Sequence, residues 1–179
     1  MENFKQVNLQ NEDFYNDFCN FAIKSKPFPI SRFKSIKFLK AEIKNWFDFL
    51  CKDSVIYQVS NSELKLYIFV ENRSDNIYLP FLFFINNNDY QNAFEKPPPT
   101  LKTLLLAKQG VSLWHRYLIY ISNKFDKKNI IADVMRTHKR KAMIDLINRY
   151  DKIAEIRYDK KNTTILWTHE RLNQNSRNE

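Results

Sequence analysis

The side chains able to do chemistry are few in this chain and widely spaced. Its three histidines, His115, His138 and His169, include no two at the i, i+4 spacing of a helical metal site. None has an acidic residue at the offset a facial triad would need. His138 falls in an apolar helical stripe and reads as a hydrogen-bonded, half-buried ring, and His169 beside Glu170 reads as a surface pair. A serine–histidine–aspartate arrangement lacks the nucleophile elbow that would present its hydroxyl. Cys19 and Cys51 lie in apolar stripes with no neighbouring ligand, so they read as two buried thiols of a reduced chain. No metal is expected. Gly110 is the single glycine. Phosphate-cradling loops use glycine because only it lets successive backbone N–H groups close on the anion in left-handed conformations. Neither a GxGxxG turn nor a P-loop can therefore be written anywhere in the sequence.

The strongest charge run is Lys124, Lys127, Lys128, Arg136, Lys139, Arg140 and Lys141, in a chain with 29 Lys+Arg against 20 Asp+Glu and a net charge of +9. Several cations on one helix can track a phosphate backbone, each contact adding to the salt dependence of binding. The same pattern is also the solvated face of an amphipathic helix. Asp133 interrupts the run, and no aromatic is interleaved on the polar face to stack bases. The wider bias towards Asn, Lys, Ile and Phe is what an AT-rich genome produces, so part of the basic balance reflects codon usage.

These residues need a scaffold. The 179 residues suit one domain, and 15 Phe, 9 Tyr and 3 Trp supply a core and rule out global disorder. The longest apolar stretch, Ile77 to Ile85, is far short of the ~18 residues that span a bilayer. The N-terminus has no apolar signal core. The chain is accordingly expected to be neither transmembrane nor secreted.

Phe4 to Leu9 reads as a first strand. Asn11 caps a helix whose Phe14, Phe18 and Ala22 share a face, ended by Pro27 and Pro29. A second helix from about Ser35 places Ile36, Leu39, Ile43, Trp46, Phe47 and Leu50 on one stripe, which must bury itself on something broad, most simply a sheet. Ser54–Ser60, Leu64–Glu71 and Ile77–Ile85 read as an antiparallel meander. The third of these is apolar on both faces and so is expected to be central and covered on both sides. Pro80 removes a ladder donor from it and implies a bulge or a local edge. After a long loop, Asn86–Thr100, a short helix LKTLLLAK is expected to close at Gly110, followed by a strand at Arg116–Ser122. Asp126–Tyr150 reads as one long basic helix, or as a strand followed by a helix. AEIRYD and TTILWT form a hairpin, giving a domain over 1–168 and a polar tail over 169–179.

The resulting order, β-α-α-β-β-β-α-β-α-β-β over about Phe4 to Thr168, resembles the GNAT (Gcn5-related N-acetyltransferase) fold. The resemblance implies a single-domain α/β architecture, a mixed and mostly antiparallel sheet with helices on both faces. In that family the fourth strand and the next helix N-terminus receive the acyl-CoA pyrophosphate, and the fifth strand splays to admit the pantetheine arm. The family's Q/R-x-x-G-x-G/A signature meets EKPPPTLKTLLLAK here, without glycine and with Pro97, Pro98 and Pro99 removing N–H donors. If Asp126–Tyr150 is a strand and a helix, the signature moves to RTHKRKA, where Ala142 alone fits. The L-Y-x-x-x-G-F run, whose tyrosine is the family's general acid, meets LINRYDK. Ile147 stands in the tyrosine's place and Asp151 in the glycine's, while Tyr150 is turned about 60° away. Glu63, Glu71 and Asp75 lie near strand ends where the family's general base sits. Glu71 is best placed, yet it reads as a turn-proximal surface acid.

Scaffold without landmarks implies a degenerate, non-catalytic GNAT-like protein, similar to those encoded by tailed bacteriophages. The expected role is a virion-associated structural or assembly protein in the virion or host cytoplasm, binding other assembly proteins or its own copies, with no cofactor. Tyr90, Phe94, Pro97, Pro98 and Pro99 are the candidate contact arm, because an extended proline-rich segment loses little entropy on docking. A loop folded back over its own sheet is the alternative. The runner-up function is an acetyl-CoA-dependent N-acetyltransferase with an atypical cofactor site, and the third is a basic nucleic-acid-binding protein.

Overall fold

The computed structural model describes residues 3–25, 36–60, 64–86, 101–135, 144, 148–149, 151–158 and 162–176. In chain order these give β1 (Asn3–Gln6), α1 (Glu12–Ser25), α2 (Ile36–Cys51), β2 (Val55–Ser60), β3 (Leu64–Asn72) and β4 (Asn76–Asn86). There follow α3 (Leu101–Lys124), β5 (Asn129–Met135), β6 (Glu155–Tyr158), β7 (Asn162–Trp167) and α4 (His169–Ser176). The strands form one seven-stranded sheet ordered β1-β2-β3-β4-β5-β7-β6. Pairs β1–β2, β2–β3, β5–β7 and β6–β7 are antiparallel, whereas β4–β5 is parallel. This is the mixed, mostly antiparallel α/β fold expected from the sequence. The packing divides into two compact units, Met1–Glu71 with Pro80–Ile85 and Asn72–Leu79 with Asn86–Glu179.

The first unit is an aromatic cluster laid on strands. Asn11 caps α1, its Oδ1 accepting from the Asp13 amide at 2.9 Å, and Glu12 and Asp13 favour the positive end of the helix dipole. The four-residue spacing then buries Phe14, Phe18 and Ala22. Phe14 meets Phe47 of α2 at 5.3 Å and Tyr67 of β3 at 5.0 Å between ring centroids. Trp46 meets Phe81 of β4 edge-on at 4.8 Å. Tilted and edge-on contacts let the ring quadrupoles attract while each ring leaves water. The strand covered on both sides is β3, whose Leu66, Tyr67, Ile68, Phe69 and Val70 are all buried. In β4 the buried residues are Ile77, Leu79 and Phe83, with Tyr78, Pro80, Phe81 and Leu82 half-buried. β4 is central in the strand order, but full burial belongs to its neighbour.

The second unit departs from the sequence expectation. Arg116–Ser122 is helix, not strand: α3 runs 24 residues without a break through Gly110. The physical reason lies in a longer window. Tyr117–Ile121 is apolar throughout and fits either period, but Leu113, Tyr117 and Ile121 repeat every four residues and are all buried, as are Trp114 and Leu118. The strand is Asn129–Met135, so the continuous basic helix from Asp126 does not exist, and the strand-plus-helix alternative describes the segment's start. Ile144 and residues 148–149 are helical. His169–Ser176, expected as tail, is a helix with Leu172 fully buried.

α3 ends in a six-residue reverse loop, the Lys127 amide donating to the Ser122 carbonyl at 2.8 Å. Glycine is usual where such a loop turns left-handed. Here Asp126 and Lys127 occupy that region, with φ of 56° and 60°. A Cβ in this region costs about 1–2 kcal/mol. Lys127→Gly is therefore expected to raise the unfolding free energy by about 1 kcal/mol; urea denaturation with an unchanged or lower midpoint would refute the strain.

Candidate functional site

Family expectation places the functional end of the fold at β4, β5 and the helix after β4. The β4–β5 ladder comprises three parallel pairs, Asn76↔Asn129, Ile77↔Ile130 and Tyr78↔Ile131. β5 then continues to Met135 paired with β7. Pro80 lies two residues past the last of these pairs. Tyr90, Phe94, Pro97, Pro98 and Pro99 lie outside the described residues, as do Glu63, Ile147 and Tyr150. Gly110 lies inside α3, so it serves no phosphate loop.

The basic patch does not hold together as one helical face. Lys124 is in the last turn of α3 with its ammonium 5.8 Å from the Tyr120 ring centroid. Lys127 and Lys128 lie in the connection to β5, and Arg136, Lys139, Arg140 and Lys141 are outside the described residues. Lys128 is bound to the β3–β4 turn, its Nζ donating to Asn72 Oδ1 at 3.0 Å and to the Arg73 carbonyl at 2.7 Å. Arg73 in turn stacks on Tyr78 at 3.7 Å from the ring centroid. These are structural engagements of groups the sequence offered as phosphate contacts.

Three polar networks were not anticipated. Asp151, set against a glycine in the sequence resemblance, is a buried acceptor. Trp167 Nε1 donates to its Oδ2 at 2.8 Å, and the Ile153 and Ala154 amides donate to Oδ1 at 3.3 and 3.1 Å. His115 Nε2, also buried, lies 2.9 Å from Oδ1, outside good hydrogen-bond alignment. One carboxylate thereby ties α3, the turn before β6 and the end of β7.

In the second network, fully buried Ser122 donates to the Lys128 carbonyl at 2.9 Å and accepts from His169 Nδ1 at 2.8 Å. That assigns the ring proton to Nδ1, leaving Nε2 to accept from Asn173 Nδ2 at 2.7 Å. A serine whose proton is held by a carbonyl, and which water cannot reach, anchors α4 and is no nucleophile. His169 is thus not paired with Glu170 as the sequence suggested.

The third network joins α1 to β3. Asp17 Oδ2 accepts from Lys65 Nζ at 2.8 Å and from the Tyr67 hydroxyl at 2.7 Å. Burial, and then the bond to Asp17, push the Tyr67 phenol well above its ordinary range, so it is no proton donor near neutrality. Asp17 was visible in principle, as a lone acid one turn from Phe14 on the buried side of α1. Asp151 gave no such signal. Both cysteines are half-buried free thiols, and burial followed by the Asp48 charge pushes the Cys51 thiol up to about 12. Among the described residues no group of three metal-ligating side chains converges. Among the described residues no helix is long and apolar enough to cross a membrane.

No protein-family model and no curated protein sequence matches the chain. Among solved structures, apo FdhC, described as a nucleotide-linked sugar GNAT, is similar over 99% of this chain and 92% of its own. The TM-score is 0.51 and the identity 12%. The fold is GNAT-like. The parallel β4–β5 pair stands beside four antiparallel ones, β1–β2, β2–β3, β5–β7 and β6–β7, and α3 is the helix that links β4 to β5.

Asp151→Ala is expected to destabilise the protein by about 1–3 kcal/mol, because it leaves the buried Trp167 indole N–H without its acceptor; chemical denaturation followed by tryptophan fluorescence measures it. The raised Tyr67 phenol has a second consequence. A folded-state pKa above the unfolded value gives a contribution that is intact below about pH 10 and lost as pH rises further. Tyr15, pushed up to about 12 chiefly by burial, and Cys51 act in the same direction. Tyr67→Phe is expected to flatten the alkaline loss of stability; an unchanged slope of unfolding free energy against pH above 10 would refute it.

Proposed function

We propose that the chain is a non-catalytic GNAT-like protein that acts through protein–protein contacts, as a structural or assembly component of a bacteriophage particle. The observation that carries the reading is Gly110. The one glycine sits within a helix, so no connection in the chain has the residue that lets a backbone wrap a pyrophosphate. Further support comes from the polar groups. Asp151, Ser122, His169 and Asp17 are each held by protein partners in the arrangements described above. The small size and the Asn-, Lys-, Ile- and Phe-rich composition fit a phage gene.

One observation favours a second reading, an acyl-CoA-dependent N-acetyltransferase with an atypical cofactor site. The β4–β5 ladder comprises three parallel pairs and ends at Tyr78, and in the fold family that the chain resembles the fifth strand splays from the fourth to admit the pantetheine arm. The nucleic-acid reading is weakened by Lys128, whose ammonium is engaged by the β3–β4 turn.

Thermal unfolding with saturating acetyl-CoA separates the first two readings. A ligand at about 100 times its dissociation constant stabilises by about 2.7 kcal/mol. No shift is expected, with co-purification of other particle proteins from infected cells; a clear, saturable shift would overturn the non-catalytic reading.

A further inference from the structure

We propose that the outer edge of β6 is a homodimer interface, at which two copies of this chain pair their β6 strands antiparallel across a two-fold axis. β6 ends the strand order, with β7 on one side and no strand on the other among the described residues. Natural edges of this kind are usually blunted by a lysine, a proline or a bulge that discourages pairing. β6 is only four residues long and reads Glu155-Ile156-Arg157-Tyr158, with no lysine, proline or bulge and with two side chains of opposite charge.

The occupant follows from the charges. Arg157 Nε donates to Glu155 Oε1 at 2.8 Å, which fixes both side chains on one face, exposed at 64% and 37%. Two copies of one strand can pair only where outward-facing residues meet outward-facing residues, so a two-fold axis must pass through a residue and not between residues. Centring on Glu155 sets two carboxylates face to face, and centring on Arg157 sets two guanidiniums face to face. Centring on Ile156 puts Glu155 opposite Arg157 of the second copy, twice, and Ile156 against its own equivalent. Opposite charges directly across an antiparallel pair attract, and like charges repel. The sequence is therefore self-complementary in one register. That register also sets Tyr158, 60% exposed, across from Ala154 of the second copy, covering part of its ring. Acidic pH should weaken the pairing, since Arg157, and more weakly Arg171 of α4, hold the Glu155 carboxyl below its usual range and protonation removes the charge. The opposite edge, β1, reads Asn3-Phe4-Lys5-Gln6 and offers no such complement. The inference holds whether or not the chain binds acyl-CoA.

Sedimentation equilibrium on the full chain tests it. The expected mass is twice the 21.7 kDa of one chain. Glu155→Arg and Arg157→Glu, at exposed positions, should each give a monomer with an unchanged far-UV circular dichroism spectrum. Mixing the two variants should restore the dimer, because every facing pair is again of opposite sign. Ile156→Pro should give a monomer that no mixture rescues. A native chain that stays monomeric up to about 100 μM, a dimer that Glu155→Arg leaves intact, or variants whose mixture stays monomeric would each overturn the proposal.

Discussion

The parallel pairing of β4 with β5 is the constraint from which the second unit follows. Antiparallel neighbours can be joined by a two-residue turn, but parallel neighbours need the chain to return to its starting end. Here α3 makes that return. Its 24 residues rise about 36 Å, and its buried side chains, Leu113, Trp114, Tyr117, Leu118 and Ile121, line one continuous stripe. A helix that stopped at Gly110 and gave way to a strand at Arg116 would leave this stripe without its period. The length of α3 and the direction of β5 are consequently one fact.

Once α3 has this length, its ends must be tied, and the polar networks do so. At its C-terminus Ser122 reaches the Lys128 carbonyl and His169, coupling the end of the helix to the start of β5 and to α4. Towards its middle, His115 meets Asp151, which also takes the Trp167 indole. A buried carboxylate is costly unless its oxygens are satisfied, and Asp151 has two amides and an indole N–H to do it. The same network accounts for an aspartate at this position. The position serves as a receptor for backbone and side-chain donors, a task for which a carboxylate is suited and a glycine is not.

Legibility in the sequence followed how many periods a segment could satisfy. The stripes Phe14–Phe18–Ala22 and Ile43–Phe47–Leu50 admit a helix only, and the β6–β7 hairpin alternates around a polar turn; these were readable. Tyr117–Ile121 has five apolar residues in a row and satisfies both periods, so the distinction lay in residues further upstream. The boundary between α3 and β5 was hidden for another reason: the left-handed turn that marks it is built from Asp126 and Lys127, where glycine would have announced a helix end. With the boundary misplaced, Lys124 to Lys141 looked like one helical face. Of the polar groups, Asp17 was recoverable from its place beside Phe14 and Phe18. Asp151 and Ser122 were not, because their partners lie on elements that only the tertiary fold brings together.

The placement of glycine joins the fold to the functional question. A helix interior is where glycine is least useful, costing roughly 1 kcal/mol against alanine, and that is where Gly110 lies. A left-handed turn is where it is most useful, and there the chain has Asp126 and Lys127. Backbone conformation thus has not governed where glycine is kept. A fold that receives a pyrophosphate on main-chain N–H groups depends on the opposite arrangement, with glycine held wherever the chain must bend towards the anion. The polar side chains follow the same logic, since Asp151, Ser122 and Asp17 satisfy their own scaffold.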